Sequence, residues 1–265
     1  MNTLEAIKVL EDFKEISLIH RGKNDCELFL YLEAKLEKLL STLPKGNIVF
    51  RARLYQVDEE KEEQDFYNKI VKLYINSANE EEFKEKLLNI TKESVSTKIR
   101  RKRFEGYNEK DSFVNLNINT IPDGRCNYRF VPCLYVSNDV YTVISEMKPT
   151  IGANISVAKI KIIDDLKLID LRIKQNEPLI ELIGFLFTQS LTLEKPDVYI
   201  YTQVICDFIK EKGYDGVIYS SCQNVSGVNY AIFNYKKCKA ISSEVYSVKS
   251  LHVKYDKRQS SNIIY

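Results

Sequence analysis

Arg125, Tyr135 and Glu146 are spaced ten and eleven residues apart within GRCNYRFVPCLYVSNDVYTVISEMKP, the stretch from Gly124 to Pro149. A guanidinium, a phenol ring and a carboxylate suffice to hold a phosphorylated sugar and stabilise positive charge at its anomeric carbon. The guanidinium stays charged and binds phosphate oxygens in pairs. The ring stacks on a planar leaving group at small entropic cost. The carboxylate opposes positive charge as it develops in a transition state. Each residue alone has an ordinary explanation: an exposed loop arginine, a core tyrosine, a glutamate on a solvated helix face. The ordered set carries more weight. A later segment, YDGVIYSSCQ from Tyr214 to Gln223, adds Ser220 and Ser221 at a strand end.

These groups need elements to position them. LYVS, ending at Ser137, reads as a short strand, and Asn138 or Asp139 caps a helix running to Glu146. Val140, Val143 and Ile144 supply that helix's buried side, and Pro149 stops it. Before this stretch the chain is mostly helical. Leu4, Ile7, Leu10, Phe13 and Ile16 suggest one apolar helix face. Asp25 is placed to cap a second helix that ends before Pro44. NIVFRARLYQV (Asn47–Val57) alternates as a strand, placing Arg51 and Arg53 on one face. An acidic run from Asp58 leads into a helix, and Ser77 or Asn79 caps another, EEEFKEKLLNI. KIRRKR (Lys98–Arg103) then precedes a loop over 104–128 rich in Asn, Asp, Gly and Pro.

Further on, ISVAKIKII, LKLIDL, GVIYSS and VNYAIFNY read as strands, and VYSVKSLHVKYD alternates again. Two helices lie among them, one through ELIGFLFTQSL and one from Pro196 to a glycine stop at Gly213. Helices first and mixed strands later argue an α+β fold.

Composition narrows the function classes. An apolar fraction of 44% and a charged fraction of 29% suit a soluble globular chain, and a net charge of +2 gives no field for nucleic acid or an anionic membrane. The KIRRKR run leaves a non-catalytic binding module as an alternative, although such runs are more often solvated faces. Six scattered cysteines without a CxxC pair, and two histidines, argue against a metal site. No apolar run is long enough to span a membrane, and the N-terminus lacks an apolar signal core, so a cytoplasmic location is expected. A GxGxxG phosphate cradle is absent, which disfavours a dinucleotide-dependent dehydrogenase.

The motifs GRCN, LYVS, SEMKP, YTQV and YDGVIYSS occur in order over about a hundred residues. In this order they resemble the RES domain, a bacterial toxin family named for its arginine, glutamate and serine. The resemblance covers approximately 47–235, interrupted at 58–105. It implies a catalytic domain over 47–265 with an insertion at about 58–105, and a helical extension over 1–46. It further implies an ADP-ribosyltransferase-like mixed sheet and an enzyme that consumes NAD as substrate, with no cofactor.

Arg125, Glu146 and Ser221 match the catalytic set, with Ser220 adjacent to the serine position. Tyr135, Arg51, Asn127, Tyr219 and Gln203 complete the expected substrate-binding residues. In the implied reaction Glu146 lies beneath the ribose as the nicotinamide bond breaks, Arg125 grips the pyrophosphate and Arg51 adds a contact. Tyr135 stacks on nicotinamide, and the Ser221 hydroxyl fixes a ribose or an amide. Hydrolysis, phosphorolysis and transfer of ADP-ribose to a protein or nucleotide all remain open. An antitoxin is the implied partner, and the N-terminal helices offer a surface for it or for self-association.

Overall fold

A computed structural model describes residues 1–20, 26–55, 59–101, 106–172, 177–189 and 198–252. Its centre is one mixed eight-stranded sheet in the order β1-β5-β6-β7-β3-β2-β4-β8. The strands are β1 (Leu40–Leu43), β2 (Ile48–Leu54), β3 (Leu134–Ser137), β4 (Asn154–Ile162), β5 (Leu166–Asp170), β6 (Gly216–Ser220), β7 (Val228–Ile232) and β8 (Cys238–Ser247). Among the described strands only β5 and β6 run parallel. The α+β class is therefore the observed one.

The join between β2 and β3 matters most for function. β2 pairs with β4 along its whole length, yet with β3 it shares the single pair Phe50–Ser137. Where a ladder lapses, side chains can enter between strands that would otherwise be in contact. Arg51 follows Phe50 of that pair and is itself opposite Ala158 of β4.

One face of the sheet is covered by helices α1 (Thr3–His20), α2 (Glu27–Leu39), α6 (Pro178–Thr188) and α7 (Val198–Glu211). α1 buries Ala6, Val9, Leu10, Phe13 and Ser17, while Leu4 and Ile7 are exposed. The three-residue apolar repeat thus misplaces the face. Each three-residue step falls about 60° short of a full turn, so the stripe winds around the helix. Cys26, not Asp25, occupies the N-cap of α2 and makes no side-chain cap bond; Asp25 itself lies outside the described residues.

The segment 1–46 is no appendage. It supplies β1, a strand missed in the sequence, which pairs antiparallel with β5. Tyr31 and Lys35 of α2 also bind the Glu177 carboxylate ahead of α6, at 2.6 and 2.7 Å. Ala6, Phe13, Leu28 and Leu32 share a core with Ile180 and Val217.

Residues 59–101 behave otherwise. Helices α3 (Glu59–Ile75) and α4 (Glu80–Arg101) form a hairpin in which no residue over 66–92 is fully buried. Asn79 caps α4 by accepting the Glu82 N–H at 2.9 Å. α4 runs on through Lys98 to Arg101, so the first part of KIRRKR is helical; Lys102 and Arg103 lie outside the described residues. The last strand also begins earlier than expected, at Cys238, and ends at Ser247. Among the described residues no helix is long and apolar enough to cross a membrane.

Candidate active site

Glu146 ends the short helix α5 (Val140–Glu146), which follows β3 directly. Asp139 is its N-cap and accepts the Thr142 N–H at 2.7 Å and the Thr142 hydroxyl at 2.6 Å. Val143 is buried, and Val140, Ile144 and Met147 pack with it against Phe50, Ala52 and Val157. That packing leaves the last helical residue over the sheet. There the Glu146 Oε1 accepts the Ser221 hydroxyl at 2.5 Å and the Asn229 amide Nδ2 at 2.7 Å.

Strand alternation sends the two serines to different faces. Tyr219 and Ser221 face the Glu146 side. Ser220 faces away and lines a surface depression with Asp170, Arg172, Gly227 and Val228. The Ser221 oxygen also accepts the N–H groups of Gln223 and Asn224, at 3.1 and 3.0 Å. A hydroxyl has one proton to donate. Here Ser221 gives it to Glu146, so the serine orients the carboxylate rather than a sugar.

Arg125 sits on a loop tied back upon itself by a Gly124–Asn127 bridge. Gln203 of α7 donates from Nε2 to the Gly124 and Asn127 carbonyls, both at 2.9 Å, and Thr202 donates to the Arg125 carbonyl at 2.6 Å. Asn127 donates to the Pro122 and Tyr128 carbonyls and accepts the Tyr135 hydroxyl at 2.7 Å. Tyr135 in turn accepts the Cys126 N–H at 2.8 Å. Asn127 and Gln203, expected to touch substrate, are buried and engaged in shaping this loop. Tyr135 retains only its half-buried ring for a ligand. Gln203→Ala removes donors from two carbonyls and should cost about 2 kcal/mol of stability, read as a lower urea midpoint with an unchanged slope.

The Arg125 guanidinium lies 5.1 Å from the Tyr199 ring centre and 5.8 Å from that of Tyr219. It also donates to the Leu186 carbonyl at 3.3 Å. The Tyr219 phenol is pushed well up, first by burial and then by Cys126, with Arg125 opposing and Glu146 reinforcing the rise. The Tyr135 phenol is also pushed well up, by burial and the nearby Cys133 and Cys126 thiols. Burial likewise raises the Cys133 and Cys206 thiols, keeping them protonated and unreactive.

Among the described residues Arg51 differs from the other cations. Its Nε and one terminal nitrogen are inaccessible and have no hydrogen-bond partner. Its pKa is lowered to about 10, by burial first and Arg53 second, with Cys133 and Tyr135 opposing. Arg53 is engaged elsewhere: it donates to the Asp111 carbonyl and lies 4.6 Å from the Tyr107 ring centre. An alternation argument leaves the two arginines equivalent, whereas their surroundings do not. Among the described residues no group of three or more His, Cys, Asp or Glu is placed to hold a metal.

Two residues of this cluster, Asn229 and Ser137, were not anticipated from the sequence. Their types are common in strands and turns, and only the β3–β7 register places them beneath Glu146.

Fold and geometry together give an α+β protein in which Ser221 holds Glu146 and Arg125 lies by the Tyr219 ring. Residues 99–256 match the RES domain, and the chain belongs to that family. No curated protein matches it. Among solved structures it is similar to a chain of the crystal structure of the M. tuberculosis MbcT-MbcA toxin-antitoxin complex. That match has 12% identity and a TM-score of 0.41, over 84% of this chain and 93% of that one.

Proposed function

We propose that this chain consumes NAD by cleaving the bond between nicotinamide and ribose, passing ADP-ribose to water or phosphate. The observation that carries the reading is the Glu146 carboxylate. It is pinned through Oε1 by Ser221 and Asn229, while Oε2 has no hydrogen-bond partner among the described residues. As the bond lengthens, positive charge spreads over the ribose ring, and a fixed carboxylate lowers the cost of that charge. Nicotinamide departs with the bonding electron pair. In hydrolysis, water bonds to the vacated carbon and releases a proton to solvent.

Two further features support the reading. Two inaccessible Arg51 nitrogens without partners are costly, and the third guanidinium nitrogen is the one suited to a phosphate oxygen. Arg125, beside the Tyr199 and Tyr219 rings, offers a second cation suited to the other end of a pyrophosphate. Membership of the RES domain family favours a toxin-like role restrained by an antitoxin over the cleft.

Purified chain incubated with NAD is expected to release free nicotinamide without any added protein. Phosphate dependence of that release separates phosphorolysis from hydrolysis. Release only on addition of cell extract would replace this reading with ADP-ribosyl transfer to an acceptor. NAD left intact under all these conditions would end it.

A further inference from the structure

We infer that Asn229, buttressed by Ser137, is a positioning residue that orients Glu146 so that its Oε2 faces the substrate ribose. The inference deepens the proposed reaction and rests on it for the identity of the substrate.

The geometry comes from strand register. Tyr219 of β6, Asn229 of β7 and Ser137 of β3 are consecutive cross-strand partners, forming a row on the face beneath α5. Ser137 donates its hydroxyl to the Asn229 Oδ1 at 2.6 Å, and the Asn229 Nδ2 donates to the Glu146 Oε1 at 2.7 Å. Both Ser137 and Asn229 are buried, at 2% and 5% exposure. A reversed amide would set two acceptors, Asn229 Oδ1 and Glu146 Oε1, against each other. The Ser137 donation therefore favours the orientation that serves Glu146.

Ser221 approaches the same carboxylate oxygen from the loop after β6, at 2.5 Å. Gly227 keeps this corner tight: a Cβ there would lie 2.6 Å from the Thr142 methyl and 3.0 Å from the Ser221 Cβ. Two donors on one oxygen, one from β7 and one from the loop after β6, fix the rotation of the carboxylate as well as its place. A single donor would leave it free to swing.

In the intact chain, Asn229→Ala should lower kcat for nicotinamide release about 10- to 100-fold, the usual cost of a misplaced reacting group, with KM within about twofold. Ser137→Ala, a smaller change that should preserve the fold, should give a lesser loss of kcat. In the Asn229→Ala background that loss should vanish, because the two residues act as one unit. Wild-type kcat in Asn229→Ala, or an undiminished Ser137→Ala loss in the double variant, overturns the inference.

A wild-type chain that leaves NAD intact overturns the proposed reaction but not the positioning. A crystal structure of ligand-free Asn229→Ala, or of Ser137→Ala if the former fails to fold, then decides. The Glu146 carboxylate is expected to turn away from its wild-type place, and an unmoved carboxylate overturns the inference.

Discussion

Glu146→Gln is expected to lower the rate of nicotinamide release from NAD by about 10²- to 10³-fold, corresponding to about 3 to 4 kcal/mol of lost transition-state stabilisation. The substitution keeps an oxygen that can accept from Ser221 and Asn229, so the hydrogen bonds beneath α5 survive. What it removes is the negative charge. Stability should therefore change by less than about 1 kcal/mol, and KM should move little, because the charge matters chiefly when the ribose becomes cationic. Cells expressing the variant should keep their NAD and grow, whereas wild type depletes it. A variant that depletes NAD at the wild-type rate would remove Glu146 from the reaction.

The second large effect has opposite signs in two measurements. Arg51→Met replaces a partly buried cation, with two inaccessible nitrogens lacking partners, by an apolar chain of similar length. The ligand-free protein should gain about 2 kcal/mol of stability, because the penalty for unsatisfied buried donors disappears. The same change should weaken NAD binding about 10- to 150-fold, the worth of a charged hydrogen bond to phosphate. Urea unfolding without ligand and calorimetric titration with NAD test the pair of effects. Loss of stability together with unchanged affinity would mean that Arg51 serves the fold and not the ligand. Arg53→Met provides the contrast, since Arg53 is already engaged by Asp111 and Tyr107.

Opposed effects of this kind are expected where a binding site is preorganised before its ligand arrives. The fold tolerates the strain because the cost falls at one point, beside the single β2–β3 pair. The eight-strand ladder and the core of α1, α2, α6 and α7 outweigh it.

Local chemistry in the sequence determined much of this protein. Asp139 as a cap, the apolar side of α5, the strand through Tyr135 and the turn ahead of Arg125 all follow from neighbours within a few residues. So do the arginine, tyrosine and glutamate as candidates, since their types and order are visible without a fold. Other features were decided by contacts between residues 75 to 92 apart. Asn229 meets Glu146 across 83 positions, Ser137 meets Asn229 across 92, and Ser221 meets Glu146 across 75.

β1 belongs with these, because four residues cannot announce a strand until β5 offers them a ladder. The distinction between Arg51 and Arg53 does too, since alternation assigns both to one face and only packing separates a buried cation from an engaged one. Periodicity along a chain reports which side a residue faces. What lies on that side depends on strand register and helix docking, which are fixed by burial summed over the whole molecule.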